Sequence, residues 1–171
     1  MLLESPLSQP CSPATEQEIA LFVQTVFAPL NSEEQREAAE YDQYMGEIDP
    51  SYSGFCLSRW QFPIYPLPES YLNFLQFSNG GFFEGKNRFL NLFKTSEVRE
   101  MMLGYGVPYW MPNVCTIGFD GGGNLYLFDM RLPQVNGDYP IWLVHAGDMN
   151  FEDAQQIASS FTEFINTALG D

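Results

Sequence analysis

The sequence predicts an α+β domain, and three observations carry that prediction. Residues 116–119 and 125–129 are two short runs of β-branched, aromatic and leucine residues, which suit a half-buried sheet surface. Gly121, Gly122 and Gly123 between them allow the positive φ angles of a tight reversal, so the two runs read as a hairpin. On both sides of this hairpin, apolar residues recur at the spacing of a helix with one buried face. A 171-residue chain that is 45% hydrophobic and 16% aromatic has ample material for one core.

In chain order, residues 1–14 hold three prolines and three serines and read as a loose N-terminal arm. Thr15 and Glu18 then form a capping box, each side chain placed to accept from the other residue's backbone N–H. Ile19, Phe22, Val23, Val26, Phe27 and Leu30 follow at helical spacing until Pro29 ends or kinks the pattern. Ser32-Glu33-Glu34-Gln35 reads as a second capping box, opening a helix to about Met45. Its apolar face (Ala38, Ala39, Tyr41, Met45) is thin, so it is expected on the surface. Residues 46–66 read as a long connection with one short strand around 54–57, and its aromatic residues (Tyr52, Phe55, Trp60, Phe62, Tyr65) are expected to pack against the body.

Leu67-Pro68-Glu69-Ser70 opens a third helix, because proline costs nothing in a first turn. Asn79-Gly80-Gly81 stops it. Residues 82–84 and 88–93 read as strands reversing at 85–87, and Thr95 or Ser96 as the cap of a short helix ending at Gly104 or Gly106. Residues 105–113 read as a loop carrying Tyr109-Trp110-Met111. After the hairpin come a loop (130–139), a buried strand (140–146) and a turn (147–150). Asn150 or Asp148 would then cap a final helix whose face is Ile157, Phe161, Phe164, Ile165 and Ala168. The expected division is an arm (1–14), a helical N-terminal extension packed on the body (15–66) and a core domain (67–171).

Charge narrows the function. The formal net charge is −15, which repels phosphate backbones and anionic lipid and attracts cationic partners. Residues 1–50 carry ten acids (Glu4, Glu16, Glu18, Glu33, Glu34, Glu37, Glu40, Asp42, Glu47, Asp49) against Arg36 alone. Seven Lys and Arg in all, with no basic run, argue against nucleic-acid binding. Cys11, Cys56 and Cys115 are odd in number and far apart, which fits a reducing compartment and no zinc site. No signal-peptide pattern and no membrane-length apolar run is visible, so the cytoplasm is the expected location.

Candidate chemistry is sparse. His145 is the single histidine and reads most simply as structural at a strand end; beyond the two residue types, nothing local supports a Cys115–His145 nucleophile. Asp120-Gly121-Gly122-Gly123-Asn124 is followed by a strand and not by the helix of a phosphate loop, and it has too few oxygens for calcium. Its simplest reading is a turn in which Asp120 accepts from glycine amides. No catalytic, cofactor-binding or metal-binding residue is assigned. Tyr109, Trp110 and Met111 are the residue types that anchor interfaces, although plugging the core is their simpler reading.

Two segments carry a resemblance. Leu67-Pro68, Tyr71, Phe74-Leu75 and Asn79-Gly80-Gly81 form one, and Ile117-Gly118, Asp120-Gly121, Gly123 and Tyr126 form the other. In order and spacing they resemble the SUKH superfamily, which groups bacterial immunity proteins with fungal cell-wall synthesis regulators. The late strand at 141–144 and the Ser160-Phe161…Phe164-Ile165 helix are similar to that family's ending. The N-terminal third departs from the pattern, with two helices where members commonly have one. The resemblance implies a mostly antiparallel sheet of five or six strands flanked by helices, no cofactor, and binding without catalysis. It also implies a protein partner such as a basic, nucleic-acid-directed toxin, or, alternatively, a scaffolding or regulatory role. The acids Glu33, Glu34, Glu37 and Glu40 of the second helix are then the expected partner surface, and Tyr109, Trp110 and Met111 are a separate candidate for it.

Overall fold

The hairpin predicted at 116–129 forms the middle of a seven-stranded sheet. The computed structural model describes residues 9–52, 56–85 and 88–169. Its strands are β1 (Gln9–Pro10), β2 (Gly81–Glu84), β3 (Phe89–Leu92), β4 (Val114–Phe119), β5 (Asn124–Asp129), β6 (Ile141–His145) and β7 (Gln155–Ala158). They lie side by side in chain order, every neighbouring pair antiparallel. The α+β class is as expected, but the strand count exceeds five or six, because both edges were missed. Of the segment read as a loose arm, residues 1–8 lie outside the described residues. Gln9 and Pro10 pair with Phe82 and Gly81, and Ala14 is buried with its N–H on the Leu75 carbonyl. At the other edge, Ile157 belongs to β7 and not to the last helix. The strand expected around 54–57 is absent where it is described: Leu57–Arg59 is a turn of 3-10 helix, and residues 54 and 55 lie outside the described set.

The sheet is covered on both faces at its centre. Cys115 and Ile117 of β4, Tyr126 and Phe128 of β5 and Ile141 of β6 enter the main core. Val114, Leu125, Leu127 and Val144 face the other way, into a smaller cluster with Val107 and Met111. This alternation explains why β5 reads as an unbroken apolar run: a strand buried on both faces has no solvent side.

Six helices surround the sheet among the described residues: α1 (Glu16–Thr25), α2 (Ser32–Ile48), α3 (Glu69–Phe77), α4 (Thr95–Gly104), α5 (Val107–Trp110) and α6 (Phe161–Leu169). The Thr15/Glu18 capping box of α1 is present. The box of α2 sits one residue earlier than expected, with Asn31 as cap and Glu34 as its reciprocal acceptor. As its thin apolar face predicts, α2 buries no residue. The loop expected at 105–113 contains a helical turn, α5, which Gly106 and Pro108 start. Helix α6 begins at Phe161, with Ser160 accepting from the Glu163 N–H, so neither Asn150 nor Asp148 caps it.

The two signature segments are joints. Gly80 has φ +75°, and a Cβ there would sit 2.6 Å from the Leu92 carbonyl oxygen. Asn79 does more than stop α3: its side-chain oxygen accepts from the Thr95 N–H at 2.8 Å and so caps α4. Gly118 lets β4 approach β3, since a Cβ would lie 2.5 Å from the Asn91 carbonyl oxygen. The Tyr126 hydroxyl donates to the Phe89 carbonyl at 2.8 Å, spanning from β5 to β3. Tyr71 stands edge-on to Phe128 and Phe161 at 5.3 and 5.2 Å, pinning α3 to the sheet and α6.

Candidate functional site

The acidic second helix is fastened at its N-terminus by one cation. Arg99 projects from α4, and all three of its guanidinium nitrogens are engaged. Nε and Nη2 donate to the two Glu34 carboxylate oxygens at 2.8 and 2.7 Å. Nη1 donates to the carbonyls of Thr25, Val26 and Ala28, and Nη2 to that of Pro29. The last carbonyls of α1 carry the negative end of its dipole and lack partners within the helix, so a guanidinium suits them. Arg99 also lies over the Phe62 ring at 5.2 Å. Its hydrogen bonds to Glu34 hold that carboxyl below its ordinary range against the opposing effect of burial. Farther along, Tyr52 hydrogen-bonds Asp42, and burial together with that bond pushes the phenol up to about 12.

Between α2, α4, the start of α5, Tyr52 and Trp60 this arrangement leaves a groove of about 550 Å³. That volume lies in the roughly 300–1,000 Å³ range of ligand sites. Aromatic residues dominate its apolar lining: Tyr41, Tyr52, Trp60, Tyr105 and Trp110. Its charged lining is Glu34, Glu37 and Glu100 against Arg99. Glu37 and Glu100 have no cationic partner among the described residues. A second groove, of about 500 Å³, shares Leu30 and Trp60 with the first and continues past Leu57 and Ile64. Backbone hydrogen bonds from Gln61 to Pro108 and from Asn113 to Gln61 hold the connection in place.

The partner-surface candidates divide. Glu33, Glu37 and Glu40 are exposed on α2, and Arg36 reaches Glu33 and Glu40 at only 3.8 and 4.0 Å. Such solvent-exposed pairs contribute little. Glu34 is committed to Arg99 and to the helix cap. Trp110 is 52% exposed with Tyr109 edge-on to it, whereas Met111 is fully buried in the smaller core cluster. Sequence reasoning thus named Glu37 and Trp110 from separate segments, and the fold brings both to one groove. It missed Arg99, Glu100 and Tyr105, for which the sole signal was the scarcity of cations in an acidic chain.

The chemical candidates disperse. Cys115 faces Phe128 near one end of β5 and is fully buried, whereas His145 faces Asn124 at the other end and is exposed. The Cys115 Sγ donates to the Thr116 carbonyl, and burial pushes the thiol well above its usual range. The Asp120 loop is a turn: one carboxylate oxygen accepts from the Gly122 and Asn124 N–H groups at 2.7 and 3.0 Å, and the other from the Asn124 side chain. Burial works against the ionised form, but these hydrogen bonds prevail and the Asp120 pKa is lowered. Among the described residues, no three potential metal ligands gather and no helix is long and apolar enough to cross a membrane.

An all-antiparallel meander backed by helices, with glycine joints and an acid-rimmed aromatic groove, defines the class as an α+β domain with a surface suited to binding. Residues 61–167 match the model of the SMI1 / KNR4 family (SUKH-1), and the chain belongs to that family. No match was found among curated proteins. The matched span begins at Gln61, so α1 and α2 lie outside it, and the groove is built where this N-terminal part meets the matched part.

Proposed function

We propose that this protein is a non-catalytic, cytoplasmic binding protein that neutralises a cognate toxin by covering its functional site. The observation that carries this reading is the exposed acidic face of α2 (Glu33, Glu37, Glu40), on which Arg36 makes only two long, exposed pairs, with Glu37 lining the same groove as exposed Trp110. Family membership supports an immunity-like or regulatory role. A toxin directed at nucleic acid has to present cations to its substrate, and an acidic protein is drawn to those cations and shields them. The test is co-expression with toxins encoded beside the gene, using the wild type and the triple variant Glu33→Lys/Glu37→Lys/Glu40→Lys. The wild type is expected to restore growth and the variant to lose protection. If no neighbouring toxin is neutralised, or if the variant protects as well as the wild type, this reading is wrong.

The aromatic groove favours a second reading, a regulatory domain with an endogenous partner unrelated to a toxin. Apolar anchoring survives ionic strength, whereas exposed charge steering does not. A complex that persists in molar salt and involves no toxin supports this alternative.

A further inference from the structure

We infer that the groove between α2 and α4 is the partner-reading element of this surface, and that it takes a lysine or arginine side chain flanked by apolar residues. The inference rests on the protein-binding reading above and deepens it by naming the chemistry that is read. Tyr41, Trp60, Tyr105 and Trp110 line the groove with aromatic side chains, and Glu37 and Glu100 stand at it with no cationic partner among the described residues. A long cationic side chain satisfies both features at once. Its aliphatic stem packs on the rings, its head gains the attraction of the ring quadrupoles, and the carboxylates neutralise it.

The charge inventory points the same way. Arg99 is the single cation in the lining, and its bidentate pairing with Glu34 leaves two carboxylates uncompensated. A carboxylate-bearing guest would meet like charge on both sides. The continuation past Leu30 and Trp60 to Leu57 and Ile64 has no charged side chain in its lining, Gln35 and Ser58 being its polar members, and Ile64 is 81% exposed. Residues flanking the inserted cation therefore find a largely apolar track and not a charged one.

The experiment is an NMR titration of the full-length ¹⁵N-labelled protein with a short synthetic peptide holding one arginine between leucines. Matched peptides carry glutamate or norleucine at that place. The arginine peptide is expected to shift the Trp110 indole and the amides of Leu103, Tyr105 and Gly106. Affinity should fall about 10-fold in Trp110→Ala and in Glu37→Gln/Glu100→Gln, the loss of one desolvated cation–π or charge contact. The second variant changes only exposed side chains, so it serves if the first fails to fold. The inference is overturned if low-millimolar arginine peptide leaves the groove signals unmoved. It is equally overturned if the glutamate or norleucine peptide binds as well, or if both folded variants bind like the wild type. Peptide binding without neutralisation of any neighbouring toxin would sink the toxin reading and leave the groove standing. Neutralisation that survives both groove variants would do the reverse.

Discussion

Arg99 ties the end of α1, the start of α2 and the Phe62 ring to α4. Its pair with Glu34 is only 17% exposed on each side chain, so removing either member strands a partly desolvated charge. Arg99→Ala also frees the last carbonyls of α1. Urea unfolding should show a loss of about 3 kcal/mol for Arg99→Ala, and a smaller one for Glu34→Gln. Tyr71 predicts the opposite sign. Its hydroxyl is buried without a hydrogen-bond partner although its ring is central to the core. Tyr71→Phe should therefore be neutral or stabilising by up to about 1 kcal/mol, because no bond is lost and a desolvated hydroxyl is removed. The cysteines separate by environment. Cys56 is exposed, and its hydrogen bond with Ser58 lowers its pKa, whereas Cys115 is buried and raised. A thiol reagent should modify Cys56 rapidly and Cys115 only on unfolding. Fast labelling of Cys115 in the folded protein would contradict the core assignment.

At the scale of elements, α2 is held differently from the rest. It is 17 residues long and buries none of them, so its stability comes from the Asn31/Glu34 box, Arg99 and the Asp42–Tyr52 hydrogen bond. Asn31→Ala should cost about 1 kcal/mol. Hydrogen exchange should be fastest in α2 and slowest in the β4–β5 hairpin. Gly80→Ala belongs to the other class: strained φ and a backbone clash at 2.6 Å should leave little folded protein in a solubility assay. What was legible in the sequence follows the same division. The Thr15 box, the helix end at Asn79 and the hairpin around Asp120 are written in adjacent residues, so local chemistry suffices to read them. The edges β1 and β7 were not legible: β1 is only two residues long, and β7 (Gln155–Ala158) holds two glutamines and an alanine that favour a helix, so both acquire their identity from a neighbour. Helix α5 was hidden because four residues are too few to show a helical period. The groove was hidden for a stronger reason: Glu37, Trp60 and Trp110 come from separate stretches of the sequence, and long-range contacts such as the Arg99 clamp and the Gln61 hydrogen bonds help to make them neighbours.

For the whole molecule, charge sets the response to solution conditions. Glu34 is lowered by its hydrogen bonds to Arg99, and Glu18, Asp49 and Glu163 by those to Thr15, Ser51 and Ser159. Each folded-state pKa lies below the unfolded one, so the unfolded chain takes up protons first. The stability these groups contribute is fully present above the ordinary carboxylate range, about pH 4, and is lost as pH falls through the lowered values. Acid unfolding monitored by circular dichroism should show that loss, and Glu34→Gln should make it shallower. A net charge of −15 adds self-repulsion at neutral pH. Moderate salt should therefore raise the melting temperature, while leaving the partly buried Arg99–Glu34 pair little affected.

The framework of glycine joints and paired aromatics brings the acidic second helix and Trp110 to one groove, and the proposed binding is placed on that display. Calorimetric titration of a toxin encoded beside the gene into wild-type protein and into Glu33→Lys/Glu37→Lys/Glu40→Lys tests this most directly. The account predicts tight binding by the wild type and at least about 100-fold weakening in a variant that circular dichroism shows to be folded. Equal affinity for the two proteins would contradict it.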